Sequence, residues 1–400
     1  MSTLKVDAIR HNSATSDAIT TAADGTCTAK ITSVNGGSQL SHRNKARNGA
    51  MKISQRGTTF SPTTSTVHLI DGWRTDHGSS GNLDCTVTQS TDAPAGFTKS
   101  LKITPDTTLT PSGSQNGLLA HYFEGQDFQD LAFGTSDAKP ITVSWYAKTS
   151  ATGAGNYTVK VDYFDGNNYY AVNKLFAFTT TWTRYTYTIP ATGTATTNGI
   201  RDTNTMGIKV EYHLFAGPDD VHSQFTQWAV NASPTFKVIS GQKNFMDNTS
   251  NELYITGFQV EVGDTATSFE HRSVGDELRR CERYYEVHWQ NTNANNPAGS
   301  HNDGYNAICA GVNLGSHSYF AFKYRTQKRA APTISYSGKF RVIGGGSGSN
   351  KVPDEFYSPS IDGCRIRVAG SASPANQASV LEFDGANSTT GYIEISSEIG

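Results

Sequence analysis

Apolar and polar residues alternate along most of this chain with the period of two expected of strands that bury one face. In ITVSWYAK (residues 141–148), Ile141, Val143, Trp145 and Ala147 fall on one side; in YTVKVDYF (residues 157–164), Tyr157, Val159, Val161 and Tyr163 do the same. The same reading predicts strands over residues 66–70, 83–89, 100–104, 117–123, 182–189, 206–215 and 252–262. After residue 287 it predicts further strands over 307–314, 319–324, 333–336, 364–368, 380–383 and 392–396. Turn clusters such as Asp165-Gly166-Asn167-Asn168 and Gly217-Pro218-Asp219-Asp220 punctuate the pattern. About eight to ten strands in a block of roughly 230 residues, with no helix between them, argue for a sandwich or jelly roll.

The period changes once. LYITGFQVEV (residues 253–262) alternates, with Leu253, Ile255, Phe258, Val260 and Val262 apolar and a phase shift at Gly257, which predicts a half-buried strand with a bulge. Ser273 then offers an N-cap with Asp276 three residues on, and Val274, Leu278, Cys281 and Tyr285 follow at helical spacing, predicting one helix over about residues 273–286. Its other face, Glu277, Arg279, Arg280, Glu282, Arg283 and Glu286, reads as solvated, with Asp276 and Arg280 a favourable pair four residues apart. The alternative is a short helix packed at a subunit contact.

The fold class is therefore all-β: an N-terminal strand segment (residues 1–42), a central jelly-roll β-sandwich (43–272), and one connecting helix leading into a small C-terminal β domain (273–400). Residues 1–40 hold short strand-like runs with hairpin signals at Asp24-Gly25 and Asn35-Gly36-Gly37. With so few large apolar side chains they cannot bury a core alone, so they are either flexible or borrow surface from a partner or from other copies of the chain. IGGGSGSN (residues 343–350) reads as a flexible loop without the Gly-Lys-Ser/Thr of a phosphate cradle, and GYIEISSEIG reads as a final edge strand.

Charge narrows the function. Only 17% of the residues are charged and the formal net charge is −2, which gives no basic footprint for nucleic acid or an anionic membrane. No stretch has about 18 consecutive apolar residues, and the first residues lack the apolar core of a signal peptide, so neither membrane insertion nor export by the usual route is expected. Cys27, Cys85, Cys281, Cys309 and Cys364 are far apart and odd in number, reading as buried or half-buried thiols rather than a disulfide framework or zinc site. The 11 histidines form no HExxH or comparable spacing, no Gly-x-Ser-x-Gly elbow occurs, and no calcium loop is evident. No metal, cofactor or catalytic residue is expected.

Two acidic pairs, Asp162 with Asp165 and Asp219 with Asp220, have the residue type of a glycosidase pair, but turn chemistry explains Asp165, Asp219 and Asp220 as well. The aromatic clusters HYFEGQDF (121–128), YFDGNNYY (163–170) and FTQW (225–228) are more informative. Rings beside Asp, Asn and Gln suit sugars, whose C–H faces stack on the ring while the hydroxyls take hydrogen bonds, although sandwich cores are built from the same residues. The candidate glycan contacts are Tyr122, Asp165, Asn167, Asn168, Tyr169, Tyr170 and Trp228. The 165–170 cluster leads, because two adjacent tyrosines on a strand cannot both point inward.

A longer motif adds a resemblance. GFQVEVGDTATSFEHRSVGDELRRCERYYE resembles the Q-x-E-x-G … A-T-x-F-E … E-L … C-x-R-Y-Y stretch of tail-fibre-like and other virion structural proteins of tailed bacteriophages, through Gln259, Glu261, Gly263, Ala266, Thr267, Phe269, Glu270, Glu277, Leu278, Cys281, Arg283, Tyr284 and Tyr285. RNGAMKISQRGTTF (47–60) with DGW (71–73) looks like the opening of the same module, and KRAAPTISYSG (328–338) and GYIEISSEI (391–399) look like the end of its C-terminal domain. The first thirty or so residues are similar to the starts of marine and cyanobacterial phage fibre proteins. The resemblance implies a galactose-binding-like or carbohydrate-binding-module-like jelly roll, a smaller β domain, and an N-terminal piece that attaches to other virion proteins through residues 1–40, the whole assembled as a homotrimer. The expected function is that of a non-enzymatic short tail fibre or receptor-binding protein contacting host surface polysaccharide, made in the host cytoplasm and carried on the tail or capsid surface of the virion. A decoration protein without host-binding role is the alternative, and a polysaccharide-degrading enzyme the weaker one. The motif is architectural and fixes no sugar-binding residue.

Overall fold

The computed structural model describes residues 8–9, 19–21, 23, 27–29, 42–63, 66–77, 83–192, 199–230, 238–289, 307–344, 348–369, 375–384 and 391–399. The chain is all-β, with two sandwiches in series and a small N-terminal sheet. That sheet pairs Ala8–Ile9, Ile19–Thr21 and Cys27–Ala29 antiparallel. The turn signals at Asp24-Gly25 and Asn35-Gly36-Gly37 lie outside the described residues.

In the first sandwich a six-stranded sheet faces a seven-stranded one. The former runs Thr183–Ile189, Ile141–Thr149, Leu253–Val262, Ser100–Pro105, Cys85–Ser90, Thr59–Phe60; the latter runs Ala229–Val230, Tyr169–Phe178, Gly155–Phe164, Met206–Ala216, Asn116–Glu124, Trp73–His77, Thr66–His68. Neighbours are antiparallel throughout. The alternating apolar sets meet between the sheets: Ile141, Val143, Trp145 and Ala147 from one side, Tyr157, Val159, Val161 and Tyr163 from the other, all buried. Trp145 anchors them with edge contacts to Phe176 at 5.0 Å and Tyr212 at 5.3 Å.

Four strands of this sandwich went unread in the sequence, the two-residue Thr59–Phe60 and Ala229–Val230 and the longer Trp73–His77 and Tyr169–Phe178. The polar positions of Gly155–Phe164 also depart from the simple pattern, because Thr158, Lys160 and Asp162 are buried too. Register places Lys160 opposite Glu211 and Asp162 opposite Lys209 on the neighbouring strand. The four charges interlock, with Lys160 Nζ 2.9 Å from Asp162 and Lys209 Nζ 3.1 Å from Asp162 and 2.5 Å from Glu211. Burial opposes every charge here, yet Lys209 and Lys160 keep the Glu211 carboxyl well below its usual range, and Glu211 and Asp162 hold Lys209 well above its own. Over this face runs the segment after Ala216: Ile239 N donates to Thr158 Oγ1 at 3.0 Å, and Phe225 N to Asn173 Oδ1 at 2.7 Å.

Leu253–Val262 sits in the middle of its sheet and is buried along its whole length, not on one face only. The predicted bulge is present: pairing jumps from Ser144↔Gln259 to Tyr146↔Thr256, and Gly257 takes φ 62°. The polar side is covered because its groups satisfy one another. Glu261 accepts from Thr267 N at 2.9 Å and from Thr267 Oγ1 at 2.7 Å, Gln259 Nε2 donates to Glu261 at 2.9 Å, and Gln259 Oε1 accepts from Glu270 N at 2.8 Å.

The helix is shorter than predicted, Val274–Glu282, with Ser273 capping it by accepting from Asp276 N at 3.1 Å. Tyr285 belongs instead to the strand Tyr285–Trp289, where it pairs with Ser396. The apolar stripe is correspondingly thin: Val274 is 58% exposed, Leu278 is half-buried and Cys281 is buried. The face read as solvated is overturned at Glu282 and Glu286. Both are buried, because the C-terminal domain supplies cations to them, Arg325 Nη1 3.5 Å from Glu282 and Lys328 Nζ 2.5 Å from Glu286.

The second sandwich packs a seven-stranded sheet, in the order Gly348–Lys351, Phe340–Gly344, Gln377–Phe383, Ala307–Asn313, His317–Lys323, Gly363–Ala369, Pro353–Tyr357, on a three-stranded sheet, Tyr285–Trp289, Tyr392–Ser396, Thr333–Ser337. Phe320, Phe322, Phe340, Ile366, Leu381, Phe383, Ile393 and Ile395 fill the space between. Tyr392–Ser396 is thus a central strand, not the edge its acidic residues suggested, since Glu394 takes the Tyr285 hydroxyl at 2.7 Å and Ser335 Oγ at 2.8 Å from the strands on either side. Residues 343–350, expected to form a loop, are largely a hairpin in which Val342 pairs with Gly348; residues 345–347 lie outside the description. Among the described residues no helix is long and apolar enough to cross a membrane.

Candidate functional site

The leading cluster is the turn between Gly155–Phe164 and Tyr169–Phe178. Asp165 builds it: Oδ1 accepts from Asn167 N and Asn168 N, both at 2.7 Å, and Oδ2 accepts from the Tyr170 hydroxyl at 3.2 Å. This carboxylate is committed to the fold, as expected of Asp in an Asx turn. Register then sends the adjacent tyrosines to opposite faces. Tyr170 goes inward and stacks on Tyr163 with centroids 4.7 Å apart and planes 12° from parallel. Tyr169 stays 43% exposed, its ring 4.7 Å from that of Phe164. With exposed Asn167 and Asn168 beside it, it forms a ledge of one aromatic face and two carboxamides.

The other two candidates are elsewhere. Trp228 lies behind the ledge, half-buried, edge-on to Tyr163 at 4.9 Å and Phe133 at 5.6 Å, with Nε1 donating to Pro190 O at 2.8 Å. Tyr122 is buried under the C-terminal domain. Arg74 lies over its ring at 3.7 Å and donates to its hydroxyl at 2.6 Å, while Arg74 Nη1 reaches Ile399 O at 2.8 Å. Leu118, Ala120, Tyr122 and Met206 from the first sandwich pack there against Tyr284 and Ile399.

Residues that the pattern did not single out as a site hold this seam. Glu124, fully buried, accepts from Arg283 Nε at 2.7 Å and Nη2 at 2.8 Å and from the Tyr284 hydroxyl at 2.6 Å. Arg47 lies over the Tyr284 ring at 3.8 Å and Arg56 over that of Tyr285 at 3.4 Å. Both arginines also face Glu398, Arg56 at 2.9 Å and Arg47 at 3.7 Å. Burial alone would raise the Glu398 carboxyl, but these two cations outweigh it and keep the group below its usual range. Arg329 donates to Ser397 O, Asn204 O and Glu398 O at 2.8, 2.7 and 2.9 Å, tying both sandwiches together. The signal for all this was the C-x-R-Y-Y motif: Cys281, Arg283, Tyr284 and Tyr285 are its members, and each is buried or hydrogen-bonded at the seam.

Three of the four acids named as pairs have partners within the fold, Asp165 in the turn described above. Asp162 lies among Lys160 and Lys209, and Asp220 accepts from Asn116 Nδ2 at 2.9 Å. Cys85, Cys281, Cys309 and Cys364 are free thiols, the first two buried and the others half-buried. Among the described residues no group of three or more His, Cys, Asp or Glu is arranged to hold a metal ion.

No family model matches the sequence, and no curated protein matches it. Among solved structures, the chain is similar to the enzymatically active domain of tailspike protein 4 of bacteriophage CBA120, at 10% identity over 55% of this chain and 21% of that one, with a TM-score of 0.29. It is also similar to the CBM22-1 xylan-binding domain of Paenibacillus barcinonensis Xyn10C, at 14% identity over 52% of this chain and 94% of that one, with a TM-score of 0.25. A third is the family 11 carbohydrate-binding module of a Clostridium thermocellum cellulase, at 8% identity over 52% and 93%, with a TM-score of 0.25.

Proposed function

We propose that this chain is a non-enzymatic structural protein of a tailed-phage virion, a short homotrimeric fibre or receptor-binding protein. It attaches to other virion proteins through residues 1–40 and carries glycan-facing β domains on the tail or capsid surface. The observation that carries the reading is the role of the phage-like motif. Gln259, Glu261, Thr267 and Glu270 satisfy one another on the buried polar side of a central strand, and Arg283, Tyr284 and Tyr285 then clamp the second sandwich onto the first. A sequence that spends its most specific stretch on rigid domain geometry suits a particle component whose parts must hold position. The contact role is supported by the Tyr169 ledge, which presents a ring and two carboxamides without being needed for the core. The non-enzymatic reading is supported by the acids, since Asp162, Asp165 and Asp220 are each engaged within the fold.

The test is competition. Purified protein is expected to block adsorption of its parent phage to host cells, and Tyr169→Ala to weaken that block about tenfold, in keeping with the loss of one ring contact. Incorporation into particles is expected to fail when residues 1–40 are deleted. Normal incorporation without any competition would leave decoration as the role.

A further inference from the structure

The outer face of the seven-stranded C-terminal sheet breaks the rule that solvent-facing positions are polar. Register puts Val312 opposite Tyr319 and Ala321 opposite Arg365 on this face, with Ala310 next to Val380. Ala310 and Ala321 are small and exposed, so the surface dips between Tyr319, Val312 and Leu314, the last two 37% and 53% exposed. The result is a groove of about 580 Å³ lined by these residues and Arg365. That volume falls in the range of about 300–1,000 Å³ usual for small-ligand clefts.

One wall interleaves rings and guanidinium groups. Arg365 lies 5.0 Å from the Tyr319 ring and 4.8 Å from that of Tyr357, and Arg367 lies 5.0 Å from the Tyr357 ring. The two arginines are used differently. Arg367 is neutralised, Nε 2.6 Å from Asp354 and Nη2 3.2 Å from Glu355. Arg365 is exposed, and among the described residues its guanidinium has ring contacts but no carboxylate and no hydrogen-bond partner. Lys323, two residues beyond Ala321 on the same face, is likewise exposed and unpaired among the described residues.

A guanidinium held by aromatic rings with its fork of donors unspent matches a planar carboxylate, and an apolar floor beside a tyrosine ring matches the C–H face of a pyranose. We infer that this groove binds a carboxylate-bearing saccharide, its ring against Tyr319 and Ala321 and its carboxylate on Arg365, with Lys323 adding to the positive field. A second copy of the chain fits less well, because the centre of a protein interface is depleted of unpaired charge. The inference takes its ligand class from the glycan-binding reading, but places the acidic-sugar site on the second sandwich, whereas the Tyr169 ledge is on the first.

Calorimetric titration of the full chain with galacturonate and mannuronate oligosaccharides, as free acids and as methyl esters, tests it. At least one free acid is expected to bind, with its ester weaker by tenfold or more. Arg365→Ala is expected to weaken binding about 10–100-fold, the loss of a charge-assisted hydrogen bond, and Tyr319→Ala to weaken it similarly, with thermal unfolding of Arg365→Ala unchanged. Tyr169→Ala is expected to leave the titration as it was, so loss of phage competition in that variant with the titration intact separates failure of the ledge from failure of the groove. No heat from any acid at millimolar concentration, or equal affinity for Arg365→Ala, would overturn the proposal. So would sedimentation showing that Leu314→Asp dissociates an assembly held through this face.

Discussion

Arg283 places two donors on one buried carboxylate, Nε on Glu124 Oε1 at 2.7 Å and Nη2 on Oε2 at 2.8 Å, and so links the end of the helix to a central strand of the first sandwich. The pair is the bidentate kind, in which planarity adds orientation to charge. Replacing Arg283 by Met leaves Glu124 with only Tyr284 and Gln126 as partners in a site closed to water. The expected cost is about 3 kcal/mol, the low end for a broken buried pair because Arg283 itself is partly exposed. Urea unfolding of Arg283→Met and of the double variant Arg283→Met with Glu124→Gln checks it; the double variant should recover part of the loss.

Acid should loosen the second sandwich. Burial favours the neutral form of Glu286, but hydrogen bonds from His288, Lys328 and the Arg325 N–H outweigh it and hold the carboxyl at about 2, against 4.5 for a free side chain. A carboxyl depressed in the fold contributes its stability above pH 4.5 and loses it as the pH falls toward 2. The contribution is roughly 3 kcal/mol at 1.36 kcal/mol for each pH unit of depression. Unfolding midpoints measured from pH 6 down to pH 2.5 should therefore fall steeply, and less steeply in Glu286→Gln.

The ledge and its turn should separate contact from folding. Tyr169→Ala removes an exposed ring and is expected to change stability by less than about 0.5 kcal/mol. Asp165→Ala removes the acceptor of two backbone N–H groups and is expected to cost about 1–2 kcal/mol. Thermal unfolding of the two variants side by side distinguishes them.

Gly257 is expected to be irreplaceable. It holds φ 62°, and a Cβ there would sit 2.8 Å from both Phe97 and Tyr146 ring atoms. Gly257→Ala should cost about 2–3 kcal/mol through backbone strain and crowding at the bulge, read as a lower denaturation midpoint.

The strands were legible where one face is apolar and the other wet, as in Thr183–Ile189, where buried Tyr187 and Ile189 alternate with exposed Thr186 and Thr188. The alternation did not show that a polar face can be buried as well, as it is along Leu253–Val262. Lys160, Asp162, Lys209 and Glu211 fall at the polar positions of their strands, and only the cross-strand register shows that they neutralise one another. Tyr169–Phe178 was hidden because its first two tyrosines looked like part of the turn that Asp165 builds. The helix was overextended for a related reason: Tyr285 stands four residues after Cys281, but also opens the alternation of Tyr285 and Val287, and pairing with Tyr392–Ser396 decides for the strand. Of the candidate contacts, the opposite directions of Tyr169 and Tyr170 followed from the period of two, whereas the enclosure of Tyr122 depends on Arg74 and Ile399, which are far away in sequence.

The packing of Ile399 against Leu118, Tyr122 and Met206 also sets an order of events during synthesis. Residues 43–289 contain nearly everything the first sandwich needs, and its strands can close as they leave the ribosome. The apolar patch around Tyr122, and the cations Arg47, Arg56 and Arg74 beside it, stay open to water until Glu398 and Ile399 arrive, long after Leu253–Val262, the last strand of that sandwich, has been made. Through that interval the nascent chain carries a half-finished binding surface for Glu398 and Ile399, and that surface is where a stalled copy would adhere to its neighbours.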